Sequence, residues 1–349
     1  MNTKYSRGVL FCLIATLSWG GMFPVMTVAL RRIDPFTFTC LRYAIAGIAF
    51  MIVLYAVEGW GGFKLKGERI WLAWFFGTAG FAGFQFLVFL GQKMAGKDGA
   101  LTASIMMATM PMLGFLVNWV ARRVRPPGGA LGFILLSFAG VTLVVTKGHY
   151  SQLMQHPSVY GADGLIIFGA LCWVIYTVGA AFFPQWSPYK YTTITTGLGL
   201  GSSVVITAVL LATGAIDMPG GSDVIAISPQ LAYMATAAGF VGVLCWNLGN
   251  KILTPLNGVL FMDIVPVTAF TVSAIQGVHA GSIQIAGASI TALALVGNNI
   301  YLRHRMTPTT SASVAPPSAA AAANPVGEPA ITTDPAIESV VQEAAAAEA

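Results

Sequence analysis

Charge is what this sequence most lacks. Only 9% of its 349 residues are Asp, Glu, Lys or Arg, against roughly 25% in an ordinary soluble domain. A soluble fold cannot hide the 56% that are hydrophobic. The four histidines, His149, His156, His279 and His304, are scattered over loops and ends, so nothing spells a zinc site. Cys12, Cys40, Cys172 and Cys245 fall inside apolar runs without CxxC spacing or a nearby His, which excludes a readable redox pair or metal cluster and fits buried free thiols. There is no glycine-rich phosphate cradle, since Gly197-x-Gly199 sits in lipid-length apolar sequence with no strand before it. An ATP-driven pump therefore needs a partner, and no cofactor is expected. Within the apolar runs Asp263 is the one acid, and paired His, Glu or a second Asp for catalysis at helix depth are missing. The chain is not read as an enzyme.

What is present is one apolar run after another. A helix needs about 20 mostly apolar residues to cross a hydrocarbon core of about 30 Å. Runs of that length lie near Gly8–Leu30, Pro35–Val57, Ile70–Gly91, Gly99–Val120 and Pro127–Thr146. A second set lies near Gly164–Phe183, Tyr189–Ala212, Leu231–Asn250, Pro255–Gln276 and Ser282–Leu302. The expected fold is an all-α integral membrane protein with ten transmembrane helices. The first run is too long for a signal-peptide core and reads as an uncleaved span.

All 18 Lys and Arg precede Thr307, whereas residues 307–349 carry five acids and no base. That basic excess reflects topology and not nucleic-acid binding. With the N-terminus inside, inner loops hold twelve Lys and Arg and outer loops five, although Arg31 and Arg32 dissent. Both termini are expected in the cytoplasm of a cell whose inner (plasma) membrane holds the chain. The Ala-, Pro- and Ser-rich tail cannot bury enough surface to offset its ordering entropy and is expected to be disordered.

The strongest pattern is self-similarity. Leu17-Ser18-Trp19 recurs as Leu171-Cys172-Trp173, and Pro35-Phe36-Thr37-Phe38-Thr39 as Pro188-Tyr189-Lys190-Tyr191-Thr192. Ala79-Gly80-Phe81-Ala82-Gly83 answers Ala238-Gly239-Phe240-Val241-Gly242, and Leu90-Gly91-Gln92-Lys93 answers Leu248-Gly249-Asn250-Lys251. Pro111 and Gly132 stand as far apart as Pro266 and Gly287. The separations run between 153 and 159 residues, in one order along the core. An odd number of spans per unit makes the second unit enter the membrane from the opposite side, giving two inverted five-helix repeats, over 8–148 and 161–306, after a short N-terminus of residues 1–7. Such architecture supports alternating access, with the site near mid-membrane at the repeat interface.

These residues resemble the EamA-type members of the drug/metabolite transporter (DMT) superfamily, which have ten spans in two halves. The likeness rests on Leu17-Ser18-Trp19-Gly20 and its echo Cys172-Trp173, on Leu41-Arg42-Tyr43 with Ala46, on Pro111 and Pro266, and on Gly132 with Ala139-Gly140-Val141. It departs from the family where a Gly-Glu pair usually closes the fourth and ninth spans. Here those places read Val120-Ala121-Arg122-Arg123 and Gly277-Val278-His279. The resemblance implies a secondary transporter, an exporter of small metabolites such as amino acids. Cationic drug extrusion and metabolite uptake are the nearer alternatives, and a channel, a membrane scaffold or an intramembrane enzyme the more distant ones.

Several in-span residues are candidates for substrate contact. Arg42, about two turns inside the second span, must face protein or water. It reads as a counter-ion for a substrate carboxylate or as a structural tie. Asp263, three residues before Pro266, is the candidate for proton coupling or for holding a substrate ammonium. Pro111 and Pro266 each free a backbone carbonyl and read as matched gating hinges. Trp19, Phe84, Gln85, Ser104, Trp173, Tyr176, Trp246 and Asn247 form an aromatic wall with a few polar groups, which suits an amphipathic organic solute but also plain helix packing. The expected partners are a small-molecule substrate, protons as coupling ion, and membrane lipid.

Overall fold

Two helices show how the local sequence sets the elements. Asp34 caps Pro35–Glu58, its Oδ1 accepting from the backbone N–H of Phe36 and of Thr37 at 2.8 Å each, with proline in the first turn where no N–H is needed. Ser187 caps Pro188–Ala212 in the same way, accepting from Lys190 N–H at 3.0 Å. One turn on, Thr39 and Thr192 each donate to the carbonyl of their helix's leading proline at 2.7 Å. The repeated Pro-aromatic-x-aromatic-Thr motif is thus a repeated helix start.

The computed structural model describes residues 3–96, 99–123, 128–146, 160–275 and 281–306. These belong to one unit, Met1–Met306. The tail expected to be disordered lies outside the described residues. Among the described residues every regular element is helical. Among the described residues, seven helical segments are long and apolar enough to cross a membrane: Thr3–Ala29, Pro35–Phe63, Ile70–Met94, Thr102–Ala121, Gly161–Phe182, Pro188–Ala212 and Ser228–Leu253. Helices also occupy Gly128–Thr146, 255–275 and Ser282–Met306, the stretches expected for the fifth, ninth and tenth spans.

Prolines interrupt the helices as their chemistry requires. A proline ring clashes with the carbonyl four residues back and removes one hydrogen bond. The first segment breaks at Gly21, between Thr3–Gly20 and Met22–Ala29, just ahead of Pro24. Ahead of Pro111 the chain tightens into a 3-10 turn at Met107–Thr109, and ahead of Pro266 into another at Leu260–Asp263.

A second pair of irregularities was not foreseen from the sequence. Thr78–Gly83 and Met234–Val241 are π-helical stretches inside otherwise α-helical segments. They fall on the matched Ala79–Gly83 and Ala238–Gly242 motifs. Such bulges concentrate at functional sites because they leave backbone carbonyls without a regular helix partner. The Trp19 indole N–H takes one of these, Ala238 O, at 2.8 Å.

Packing runs between the two sequence halves. Thr3–Gly20 lies against Gly242–Leu253, and Gly161–Gly179 against Phe84–Met94. Pro35–Glu58 lies against Pro188–Ala212, and Gly128–Thr146 against Ser282–Met306. Two glycines permit close approaches to the aromatic side chains. A Cβ at Gly80 would stand 2.7 Å from the Tyr176 ring, and one at Gly242 would stand 2.6 Å from Trp19 Nε1. The glycines of Pro188–Ala212 differ in what they face. Gly199 does press on Gly77, but Gly197 and Gly201 face open space.

Candidate functional site

At the centre of the bundle a small cavity gathers side chains from both halves. Trp19 comes from the first segment, Arg42 and Tyr43 from the second, and Phe84 and Gln85 from the start of the α-helix Phe84–Met94 that follows the first π-helical stretch. Trp173 comes from the second half, together with Met262. Met107 and Met262 are the residues four before Pro111 and Pro266, so both proline-induced 3-10 turns present a methionine to this cavity. Its free volume is about 10 Å³, room for about one water molecule.

Arg42 is its chemical centre, at 1% exposure. Its Nη1 donates to Gln85 Oε1 at 2.9 Å, and Gln85 Nε2 donates to the Tyr43 hydroxyl at 2.9 Å. The guanidinium also stands 4.8 Å from the Tyr43 ring centroid, and Nη1 lies 3.9 Å from Met22 Sδ. Among the described residues no carboxylate pairs with Arg42 and its Nε has no acceptor. A buried guanidinium without a counter-ion is costly in a low-dielectric interior, and two neutral partners do not discharge it.

Around this cluster stands an aromatic cage. Trp19 and Trp173 meet edge to face at 5.2 Å, Trp19 meets Trp246 at 5.2 Å, and Trp173 meets Phe84 at 5.2 Å and Tyr176 at 5.0 Å. Edge and tilted contacts at these separations suit aromatic quadrupoles. Beyond Trp173 lies a polar layer. Asn247 Nδ2 donates to the Tyr176 hydroxyl at 2.7 Å and to Thr192 Oγ1 at 2.8 Å, and Tyr191 OH donates to Tyr176 O at 2.7 Å. Trp246 Nε1 donates to Thr177 Oγ1 at 3.0 Å.

Of the residues singled out from the sequence, Trp19, Arg42, Phe84, Gln85 and Trp173 line the cavity. Tyr176, Trp246 and Asn247 form the layer behind it. Ser104 is fully buried on Gly99–Met106 and is not part of the lining. Pro111 and Pro266 are buried and act on the lining through Met107 and Met262. The backbone of Asp263 closes the second 3-10 turn, and its side chain lies outside the described residues. Sequence reasoning passed over Tyr43, Met22, Met107 and Met262 as candidates. The matched prolines carried the signal for the last two, since a residue four before an in-span proline holds the displaced carbonyl.

Two further clefts lie at the two ends of the packed pair Pro35–Glu58 and Pro188–Ala212. One, of about 400 Å³, is bordered by Arg31, Arg32, Asp34, Lys93 and Asp223. The other, of about 330 Å³, is bordered by Phe183, Trp186, Tyr191, Asn247, Asn250 and Lys251. The second cleft is clasped by cations. Lys190 Nζ reaches Glu68 Oε1 at 3.3 Å, Lys64 O at 2.9 Å and the Trp186 ring at 4.9 Å. Arg69 donates to Phe182 O, Ser187 donates to Glu58, and Lys251 Nζ donates to Pro184 O at 2.9 Å. The Trp186 indole N–H has no well-aligned acceptor but lies near enough Glu68 to hold that carboxyl below the usual range, and Lys190 adds to the effect.

Residues 6–146 match the EamA-like transporter family. A Bacillus subtilis (strain 168) protein named Uncharacterized transporter YrdR is 38% identical over 85% of this chain and 92% of its own length. A second from that organism, Uncharacterized transporter YyaM, is 26% identical over 79% of this chain and 88% of its own. A solved crystal structure 20% identical in sequence superimposes with a TM-score of 0.59 over 86% of this chain and 99% of its own, a likeness of fold alone.

Proposed function

The chain belongs to the EamA-like transporter family, and from that premise we propose that it is a secondary carrier exporting small organic metabolites, such as amino acids, by alternating access. The observation that carries the reading is the central cavity: a fully buried arginine without a paired carboxylate among the described residues, inside an aromatic cage drawn from both halves, between a cleft at each end. A structural tie would be expected to discharge Arg42 on a carboxylate or several carbonyls. This arginine keeps a nitrogen in hand.

The inverted five-helix repeat is supported by features paired in one order along the two halves. These are the two capped proline starts, the two π-helical stretches, the two 3-10 turns before proline, and contacts that join the halves in matched pairs. On this reading Gly128–Thr146, 255–275 and Ser282–Met306 complete ten spans, both termini face the cytoplasm, and the host is the inner membrane. Pro111 and Pro266 are the hinges, and Asp263 couples transport to protons. Export as the direction rests on the family resemblance.

The test is flux in proteoliposomes holding the purified full chain. Saturable uptake of an amino acid, accumulating against its gradient under an imposed pH difference, is expected. Absence of saturable flux across a panel of amino acids, dipeptides and cationic dyes would instead favour a scaffold.

A further inference from the structure

We propose, as a deepening of the carrier reading above, that the central cavity recognises its solute by an anionic head of the carboxylate class on a flat apolar body, and rejects cations. Donors are in surplus there. Arg42 is a guanidinium that can only donate, so Gln85 must turn its amide oxygen to it and its amide nitrogen to Tyr43. The Tyr43 hydroxyl therefore accepts from Gln85 and keeps its own proton to give. Trp173, 2% exposed, holds an indole N–H with no acceptor among the described residues, as does Arg42 Nε. Three unspent donors and a full positive charge thus border one cavity. Besides Gln85 Oε1, Arg42 Nη1 meets the weak thioether of Met22 at 3.9 Å.

A carboxylate answers every part of that chemistry. It accepts only, it is planar, and its charge-assisted bonds to a guanidinium are about twice as strong as neutral ones. Desolvated, it and Arg42 neutralise each other, where each alone would be costly. Aromatic cages by themselves attract cations, but the Tyr43 face already holds Arg42 at 4.8 Å, and a second cation beside it is repelled. Trp19, Phe84 and Trp173 then offer ring surfaces to an apolar body. Room is made by Met22, Met107 and Met262, whose unbranched side chains adopt new rotamers easily.

Phenylacetate, phenylacetamide and phenethylamine share one ring and differ in the head group. Binding to the full chain in nanodiscs is read by tryptophan fluorescence and by thermal shift. Phenylacetate is expected to bind saturably, and the amide and amine at least about tenfold more weakly. Gln85→Glu sets a carboxylate of the protein's own on Arg42. It should weaken phenylacetate binding about tenfold or more while leaving the melting temperature equal or higher, so the test does not depend on an Arg42 variant folding. Trp173→Phe keeps the ring, removes the N–H, and should weaken binding several-fold. The proposal is overturned if phenethylamine binds as tightly as phenylacetate, if none of the three binds, or if Gln85→Glu leaves phenylacetate binding unchanged. Saturable flux of phenethylamine in proteoliposomes would overturn it and leave the carrier standing. Specific phenylacetate binding with no saturable flux of any solute would do the reverse.

Discussion

Single atoms decide how near the helices come. At Gly80 an added methyl would meet the Tyr176 ring, and at Gly242 it would meet the Trp19 indole. Overpacking of this kind costs typically 1–3 kcal/mol. Gly80→Ala and Gly242→Ala are each expected to lower the melting temperature in detergent, whereas Gly197→Ala, which faces open space, should not lower it. Equal melting temperatures for all three would show that the helices have slack. Asp263 belongs to the same scale. On the proposed reading it carries the coupled proton. Asp263→Asn should abolish flux driven by a pH gradient with membrane insertion intact, and wild-type flux in that variant would remove the residue from coupling.

At the scale of elements, hinges and clasp differ in chemistry. Restoring a helix hydrogen bond at Pro111 or Pro266 should stiffen the segments that carry Met107 and Met262 to the cavity. Pro111→Ala and Pro266→Ala are expected to slow turnover severalfold with KM little changed. A change in KM alone would make the prolines part of the binding surface and not of the motion. The clasp over the cleft beside Trp186 titrates. Glu68 sits below its ordinary pKa of about 4.3, so the folded state binds fewer protons there than the unfolded chain. The pair's contribution is complete above the ordinary value and is lost as pH falls through the lowered one. Cysteine accessibility at the 183–188 turn should therefore be flat from pH 8 to about 5 and rise only in stronger acid. Glu68→Gln should show the acid-state accessibility at every pH, and a transition near pH 6 to 7 would assign the clasp to another group.

For the whole molecule, the proposed arrangement of two five-span units would put both chain ends on one face of the bilayer. Cysteines placed singly at Thr3 and Met306 should react with an impermeant maleimide from the same side in oriented vesicles, and labelling from opposite sides would break the inverted repeat. The order of apolar segments was legible along the chain, and the described helices fall within a few residues of the runs read there. So were the capped starts at Pro35 and Pro188, because a cap and its proline are neighbours in sequence. The π-helical stretches were not. The second of them meets a partner far off in the chain, the Trp19 indole, which donates to Ala238 O.

The amino-acid sequence by itself determined that lipid is the solvent, that helices span it, that one half echoes the other, and that Arg42 lies at a depth where a charge needs a reason. Those are matters of composition and local spacing, which hydrogen bonding along a single helix and transfer from water to hydrocarbon settle without distant partners. Only the tertiary structure decided that Arg42, Tyr43, Gln85 and Trp173 share one cavity, that Met107 and Met262 close it, and that Ser104 stands apart. Which side of a helix meets which neighbour is fixed by packing among segments far apart in the chain. That packing sets the guanidinium against Gln85 and Tyr43, with no paired carboxylate among the described residues.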